Sequence, residues 1–167
     1  MSQPSTSALA WNRILAPYKQ PLLGKALFQL VTTSVLFVAG WYLMLRSLEV
    51  SYLLTLALAV PVAGMVTRLF IFQHDCGHGS FFRSQRANHA VGFVLGVVTL
   101  TPYQYWRRTH AAHHATSGNL DRRELGDIET LTVDEYLERS RWGRLRYRLY
   151  SSMFVLLIVA PLFQFGL

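Results

Sequence analysis

The sequence predicts an all-α integral membrane protein built around a transmembrane helical hairpin. Three observations favour this fold class: an apolar composition, two long apolar runs that follow each other closely, and histidines clustered just after the second run. Of the 167 residues, 51% are hydrophobic, and the mean hydropathy is positive, which is unusual for a water-soluble domain. The composition therefore favours a lipid bilayer as the solvent for much of the chain.

Two apolar runs have the length of membrane-spanning helices. The first extends from Ala26 to Leu45 without a charged residue. The second extends from Val50 to Phe72 and contains only Arg68, near its end. A helix of about 20 residues crosses roughly 30 Å of hydrocarbon. Two adjacent runs of this length are rare in soluble folds, and mixed sequence without an A-x-A site precedes the first, so neither is interpreted as a soluble core helix or a cleaved signal peptide.

The basic residues predict the orientation of the hairpin. Cytoplasmic segments retain Lys and Arg, and Arg13, Lys19 and Lys25 precede the first run without any acidic residue. The chain after Phe72 is also densely basic. The N-terminus and the clustered histidines are therefore predicted to be cytoplasmic, in a multi-pass membrane protein.

The net charge of +7 and the cysteine content limit the partners and the compartment. Attraction to anionic lipid head groups explains the charge, and no nucleic-acid partner is expected because no nucleic-acid-binding motif is present. Cys76 is the only cysteine, which excludes an internal disulfide and fits a reducing compartment.

Four segments are predicted along the chain. They are a cytoplasmic N-terminal segment (1–25), the transmembrane hairpin (26–72), a cytoplasmic and interfacial region with the histidines (73–150), and the start of a third transmembrane helix (151–167). Because the chain stops as this third span begins, we expect the sequence to be a fragment of a longer protein.

Shorter patterns subdivide these segments. An amphipathic stretch, Ala8 to Tyr18, is predicted to lie on the membrane surface. The apolar stretch Ala90 to Pro102 is too short to cross and is interpreted as a re-entrant or interfacial element. After a loop, Thr132 and Glu135 are spaced as a capping box, which predicts a basic interfacial helix that continues to Tyr150 and bends at Gly143.

Five of the six histidines fall into two tight groups. The groups are His74 with His78, and His110 with His113 and His114. On a helix, residues three or four apart share a face, so each group can direct its imidazoles at one point. Imidazoles packed this closely favour metal binding, whereas the isolated His89 is interpreted as a structural hydrogen-bonding residue.

The residue types leave the metal open between zinc, copper, iron and nickel. Five histidines exceed one tetrahedral site, which indicates more than one ion, and Cys76 points away from the His74/His78 face. Asp75 and Asp127 are the carboxylates expected to accept the far N–H of a ligating imidazole, whereas Asp121 and Glu124 fit equally well as solvated loop charges.

The two groups resemble the first two histidine boxes of the membrane fatty acid desaturases. The motifs are "HDCGH" at His74 to His78 and "HAAHH" at His110 to His114. The flanking stretches "HDCGHGSFF", "TPYQYWRRTHAAHHATSGNLD" and "GDIETLTVDEY" are similar to the acyl-lipid desaturases of the omega-6 and omega-3 type. The ordered pair of motifs after a membrane hairpin is highly specific to this family.

The resemblance implies a di-iron centre ligated by His74, His78, His110, His113 and His114, with no catalytic residue separate from these ligands. It implies O2 as co-substrate, a membrane-lipid acyl chain as substrate, and electrons from a ferredoxin or a b-type cytochrome. The expected product is a cis double bond. The basic side chains Arg107, Arg108, Arg122 and Arg123 are candidates for docking the donor, with lipid contact as the alternative.

The sequence departs from the family pattern in one respect, which changes the activity expected of this chain compared with that of the longer protein. The family carries a third histidine box, H-x-x-H-H, which this sequence lacks, so the chain alone is expected to be inactive. Two other functions stay open: a related histidine-rich membrane hydroxylase or oxygenase, and a non-catalytic transition-metal-binding membrane protein. Transporters usually place such ligands near the bilayer midplane, which disfavours the second.

Overall fold

The computed structural model describes residue 11 and residues 13–122 and 129–160, and within these residues the chain is helical without any β-strand. The predicted all-α class is therefore confirmed for the described part. The chain divides into two compact units, of which the first ends at Arg108 and the second begins at Thr109. The predicted segment boundaries are not tested by this division and stay predictions.

Two long helices form the hairpin of the first unit. A short 3-10 helix, Ala16–Lys19, precedes α1, Leu23–Ser47, and α2 covers Tyr52–Gly77. By length and composition, these are the two helices among the described residues that are suited to cross a membrane. Both helices extend beyond the apolar runs, and α2 does so by continuing into the first histidine group. Their orientation stays a prediction.

The turn between α1 and α2 is closed by polar contacts. The Ser51 N–H donates to the Ser47 carbonyl at 2.8 Å, and the Ser47 and Thr55 hydroxyls lie 2.7 Å apart in a buried hydrogen bond. Exposed Arg46 pairs with Glu49 at 3.1 Å. The buried hydroxyl pair matters more, because an exposed ion pair contributes little free energy while a buried polar group needs a partner.

A third helix packs on the C-terminal half of α2. This helix, α3, covers Gln85–Val98, and the core beneath it includes Leu69, Phe72, Cys76 and Leu95. The fully buried Asn88 accepts from the Phe82 N–H at 2.9 Å and donates to the Phe82 carbonyl at 2.8 Å. These two bonds satisfy backbone groups that would otherwise be buried without partners.

The stretch Ala90 to Pro102, predicted to be re-entrant or interfacial, forms most of α3 and the turn after it. That turn has Schellman geometry. The Thr101 N–H donates to the Gly96 carbonyl at 2.8 Å and the Leu100 N–H to the Val97 carbonyl at 3.3 Å. The position that usually carries glycine is Leu100, with a φ of +55°. The membrane depth of this stretch stays a prediction.

The fourth helix, α4, covers Tyr103–Thr116, and the boundary between the units falls within it. In the second unit, a 3-10 helix at Leu120–Arg122 follows, and residues 123–128, with Glu124 and Asp127, lie outside the described part. The segment predicted as a third span contains a π-helical turn, Val155–Val159, and its residues 161–167 are also outside the described part.

The predicted basic helix is present as two helices. The capping box is confirmed: Thr132 Oγ1 accepts from the Glu135 N–H, and the Glu135 carboxylate accepts from the Thr132 N–H. The first helix, α5, covers Val133–Glu138, and α6 covers Arg141–Tyr150. The predicted bend at Gly143 is wrong, because the break lies at residues 139–140, where the Ser140 hydroxyl accepts from the Gly143 N–H and starts a new helix.

Replacing Leu100 by glycine is expected to stabilise the first unit. An L-residue in the left-handed region costs about 1–2 kcal/mol that glycine avoids, and Leu100 is 85% exposed, so little packing is lost. Thermal unfolding in detergent should show a gain of about 1 kcal/mol for Leu100→Gly. Val97→Gly, at an exposed position inside α3, should lower stability; a loss in both variants would contradict the account of this turn.

Candidate metal centre

The first histidine pair lies at the end of α2, where the helix ends in a Schellman motif. The Ser80 N–H donates to the Asp75 carbonyl and the Gly79 N–H to the Cys76 carbonyl, both at 3.0 Å. Gly79 adopts a φ of +69°, which glycine reaches without steric cost. His78 is the last residue with helical dihedrals, so both histidines keep the register that places them on one face.

The two imidazoles of this pair approach each other closely. The Nε2 atoms of His74 and His78 lie 3.3 Å apart. The other ring nitrogen of His74, Nδ1, lies 3.2 Å from the Asp75 carboxylate. When Nδ1 carries the proton and donates it to Asp75, the lone pair of Nε2 is directed toward the shared point.

Cys76, between the two histidines in sequence, lies on another face of α2. Its side chain is fully buried in the core with Leu69 and Phe72, whereas His74 is half-buried and His78 is exposed. The prediction that this thiol points away from the histidine face is therefore confirmed. A donor set made from this face of α2 contains nitrogen and oxygen but no sulfur.

The start of α4 packs against the end of α2. The Trp106 ring lies 5.6 Å from the His74 ring and 5.5 Å from the Phe70 ring, measured between centroids. Gly77 makes room for it, since a Cβ there would lie 2.8 Å from the indole. The Arg107 Nε–H donates to the Gly77 carbonyl at 3.2 Å, which satisfies one of the acceptors left open at a helix C-terminus.

This packing was not anticipated from the sequence. Arg107 was considered as part of a docking surface for an electron donor, but its Nε–H is engaged inside the first unit. The available signal was a glycine placed between two histidines on one turn of α2, a position where a missing side chain permits close approach of another element. Nothing in the local pattern indicated that Trp106, 29 residues later, would be the approaching group.

The second histidine group lies in the last turns of α4. The Nε2 atoms of His110 and His114 are 3.0 Å apart. The His113 ring lies beside them, with its centroid 6.1 Å from that of His110 and 5.9 Å from that of His114. The structure therefore repeats in α4 the i, i+4 pairing found in α2, and His113 accompanies the pair.

The paired nitrogens fit a metal ion. A metal–imidazole bond is about 2.1 Å long, so two nitrogens separated by 3.0–3.3 Å can bind one ion together. The His74/His78 pair and the His110/His114 pair are thus each compatible with metal binding. Two carboxylates were predicted to accept the far N–H of a ligating imidazole. Asp75 contacts a ring nitrogen of His74, and Asp127 lies outside the described residues.

The sixth histidine has a different environment. His89 Nδ1 lies 3.3 Å from the hydroxyl of Tyr103, a buried residue at the start of α4. Burial raises the pKa of Tyr103 above its ordinary value, so the phenol stays protonated and can act as the donor to His89. His89 accordingly has the structural hydrogen-bonding contact predicted for it.

The described part of the chain is all-helical, with two span-length helices and two histidine pairs suited to a metal. The model of the fatty acid desaturase family matches residues 50–167. The chain is 50% identical, over 90% of its length, to a fatty acid desaturase of Bacillus subtilis. It therefore belongs to the fatty acid desaturase family, as the histidine motifs predicted.

Shorter matches connect the chain to two named desaturases. It is 47% identical over 32% of its length to an sn-1 acyl-lipid omega-3 desaturase (ferredoxin) of Synechocystis, and covers 15% of that protein. It is 35% identical over 53% of its length to a delta(12) fatty acid desaturase of Calendula officinalis, and covers 24% of it. The chain spans 43% of the Bacillus subtilis relative. No solved structure matches it.

Adding a methyl group at Gly77 is expected to disturb the packing of α4 on α2. In Gly77→Ala the Cβ would lie 2.8 Å from the rigid Trp106 indole, so the ring has to move. Overpacking of this kind costs about 1–3 kcal/mol, which thermal unfolding in detergent would measure. Gly64→Ala is the matched control, because its Cβ would meet no atom within 4 Å. Equal stability of the two variants would rule out the close Gly77–Trp106 approach.

Proposed function

We propose that this protein is an O2-dependent acyl-lipid desaturase that introduces a cis double bond into the acyl chain of a membrane lipid. We further propose that His74, His78, His110, His113 and His114 are ligands of its di-iron centre. The observation that carries the proposal is the pairing of imidazole nitrogens at 3.3 Å in α2 and 3.0 Å in α4, in a chain of the desaturase family.

The chemistry of the proposed reaction supports a metal at the histidine pairs. No amino-acid side chain can oxidise an unactivated methylene, so iron and O2 supply the oxidising power and the protein supplies binding and orientation. Imidazole is a suitable ligand for iron, and it is neutral, so a histidine shell adds no negative charge to the centre. Membership of the fatty acid desaturase family supports the choice of iron over zinc or copper.

Asp75 supports the proposed role of His74. Its carboxylate lies 3.2 Å from Nδ1 and can hold the ring proton there, which keeps Nε2 as the ligand atom. Trp106 packs against the same His74 ring, with the two ring centroids 5.6 Å apart. These two neighbours restrict the rotation of His74, and neighbours of this kind commonly change metal affinity by about 10–100-fold when they are removed.

The hairpin supports the proposed substrate. Helices α1 and α2 expose apolar side chains along their length, among them Phe28, Val35 and Leu53, as expected for surfaces that contact lipid. A site at the end of α2 would thus lie next to the acyl chains, at the border with water. We propose the cytoplasmic side for it, where a ferredoxin or a b-type cytochrome can deliver electrons; the Synechocystis relative has ferredoxin in its name.

Product analysis of cells tests this function. The full reading frame that contains the chain should be expressed in a host that lacks polyunsaturated lipids, and its fatty acids profiled. We expect a new double bond in the lipid acyl chains, and we expect His78→Ala to reduce it by at least about 100-fold because a metal ligand is lost. His89→Gln is the matched control, since His89 belongs to neither pair, and it should retain the product.

Other outcomes would contradict the proposal. An oxygenated fatty acid without a new double bond would identify the related hydroxylase activity. Full desaturation by the His78→Ala variant, with the protein present in the membrane at the native level, would exclude His78 as a ligand. Both readouts come from the same lipid extract.

A further inference from the structure

The helix α6, in the second unit, exposes an apolar stripe. Its members are Trp142, Leu145 and Leu149, with exposed fractions of 80%, 44% and 58%. Positions i, i+3 and i+7 lie on one side of a helix, so the three side chains form a continuous strip about two turns long. We refer to these three residues as the α6 stripe. None of them belongs to the metal-binding groups.

The sequence around the stripe is strongly basic. From Arg139 to Ala160 it contains five arginines and no acidic residue. Three of the arginines are engaged within the second unit: Arg139 pairs with Glu129 at 2.6 Å, Arg144 donates to the Arg139 carbonyl at 3.1 Å, and Arg148 donates to the Tyr136 hydroxyl at 2.6 Å. Arg148 thereby links α6 to α5, and all three side chains already have contacts within the second unit.

The other two arginines border the stripe. Arg141 and Arg146 are exposed, and neither has a hydrogen bond or ion pair with another residue in the described part of the chain. At about 100° per residue, Arg141 lies roughly 40° from Leu145 on one side, and Arg146 lies roughly 40° from Trp142 on the other. An apolar strip is therefore flanked by an available positive charge on each edge.

We propose that the α6 stripe, with Arg141 and Arg146, docks on the surface of a bilayer that contains anionic phospholipids. Trp142, Leu145 and Leu149 would enter the boundary between head groups and acyl chains, where tryptophan is favoured. The two arginines have long apolar stems that follow the strip, and their guanidinium groups bind the lipid phosphates. Docking of the α6 stripe is independent of the metal chemistry.

The chain that follows α6 supports lipid as the partner. Met153, Phe154 and Leu157 are 70%, 64% and 65% exposed, within the same unit and directly after the helix. A helix at head-group level that leads into exposed apolar residues matches a path from the membrane surface toward hydrocarbon. An acidic protein would neutralise Arg141 and Arg146 but would leave Trp142 and these apolar residues without a suitable environment.

Spin labelling of the reconstituted protein tests the proposal. A nitroxide is attached at Leu145→Cys; the native Cys76 is fully buried, and the chain without the added cysteine gives the background. In vesicles that contain phosphatidylglycerol, the label should be accessible to O2 and shielded from a water-soluble nickel chelate. In vesicles of phosphatidylcholine alone, and in the Arg141→Gln/Arg146→Gln variant, the shielding from nickel should decrease. In the variant, the equilibrium constant for docking should fall by about fivefold for each arginine removed.

A charge-matched control separates docking from net charge. Arg83→Gln/Arg86→Gln removes the same two charges from exposed positions outside α6, and it should leave the shielding unchanged. The proposal is overturned if the label is equally open to nickel in both kinds of vesicle, or if the two double variants behave alike. Shielding that arises only after an acidic protein is added would also overturn it, in favour of a protein partner.

Discussion

The helical continuity of α2 through His74 is the constraint on which the site depends. The helix has to leave its apolar run, continue through a polar turn and end only after both histidines have been placed on one face. It does so because the Schellman motif ends α2 at Gly77, with His78 still in a helical conformation at the C-cap and Gly79 in the left-handed conformation. An earlier end, inside the polar turn, would separate the two Nε2 atoms that now lie 3.3 Å apart.

The end of α2 is supported by the first turn of α4. Trp106 occupies the space that Gly77 leaves open, and the Arg107 Nε–H donates to the Gly77 carbonyl. Gly77 therefore takes part in both a packing contact and a hydrogen bond. The His74 ring thereby has two neighbours, the Trp106 indole and the Asp75 carboxylate. Ligands held in place before a metal arrives lose little conformational freedom when it binds.

Local periodicity was sufficient to predict the helices and the pairs. The apolar runs predicted α1 and α2, the i, i+4 spacing predicted that His74 and His78 would meet, and the Thr132/Glu135 spacing predicted the capping box. Each of these follows from residues within one helical segment. The side of the membrane on which they lie rests on charge statistics alone and stays a prediction.

Features that join distant residues could not be predicted in the same way. Trp106 and Gly77 are neighbours only because the first turn of α4 lies against the end of α2, and Asn88 satisfies the backbone of Phe82 only because a turn brings them together. The break before α6 is different: Gly143 suggested a bend, but a serine that can cap a helix, Ser140, decided where the new helix begins. The cap at Ser140 is a local feature that the sequence could have revealed, but the glycine at position 143 was the stronger signal for a break.

X-ray absorption at the iron edge tests the central claim, that imidazole nitrogens hold the metal while the buried Cys76 takes no part. The full-length protein, loaded with iron, should show a first shell of nitrogen and oxygen with the multiple scattering typical of imidazole. A sulfur scatterer at about 2.3 Å, the usual metal–thiolate distance, or the absence of imidazole scattering, would contradict the account.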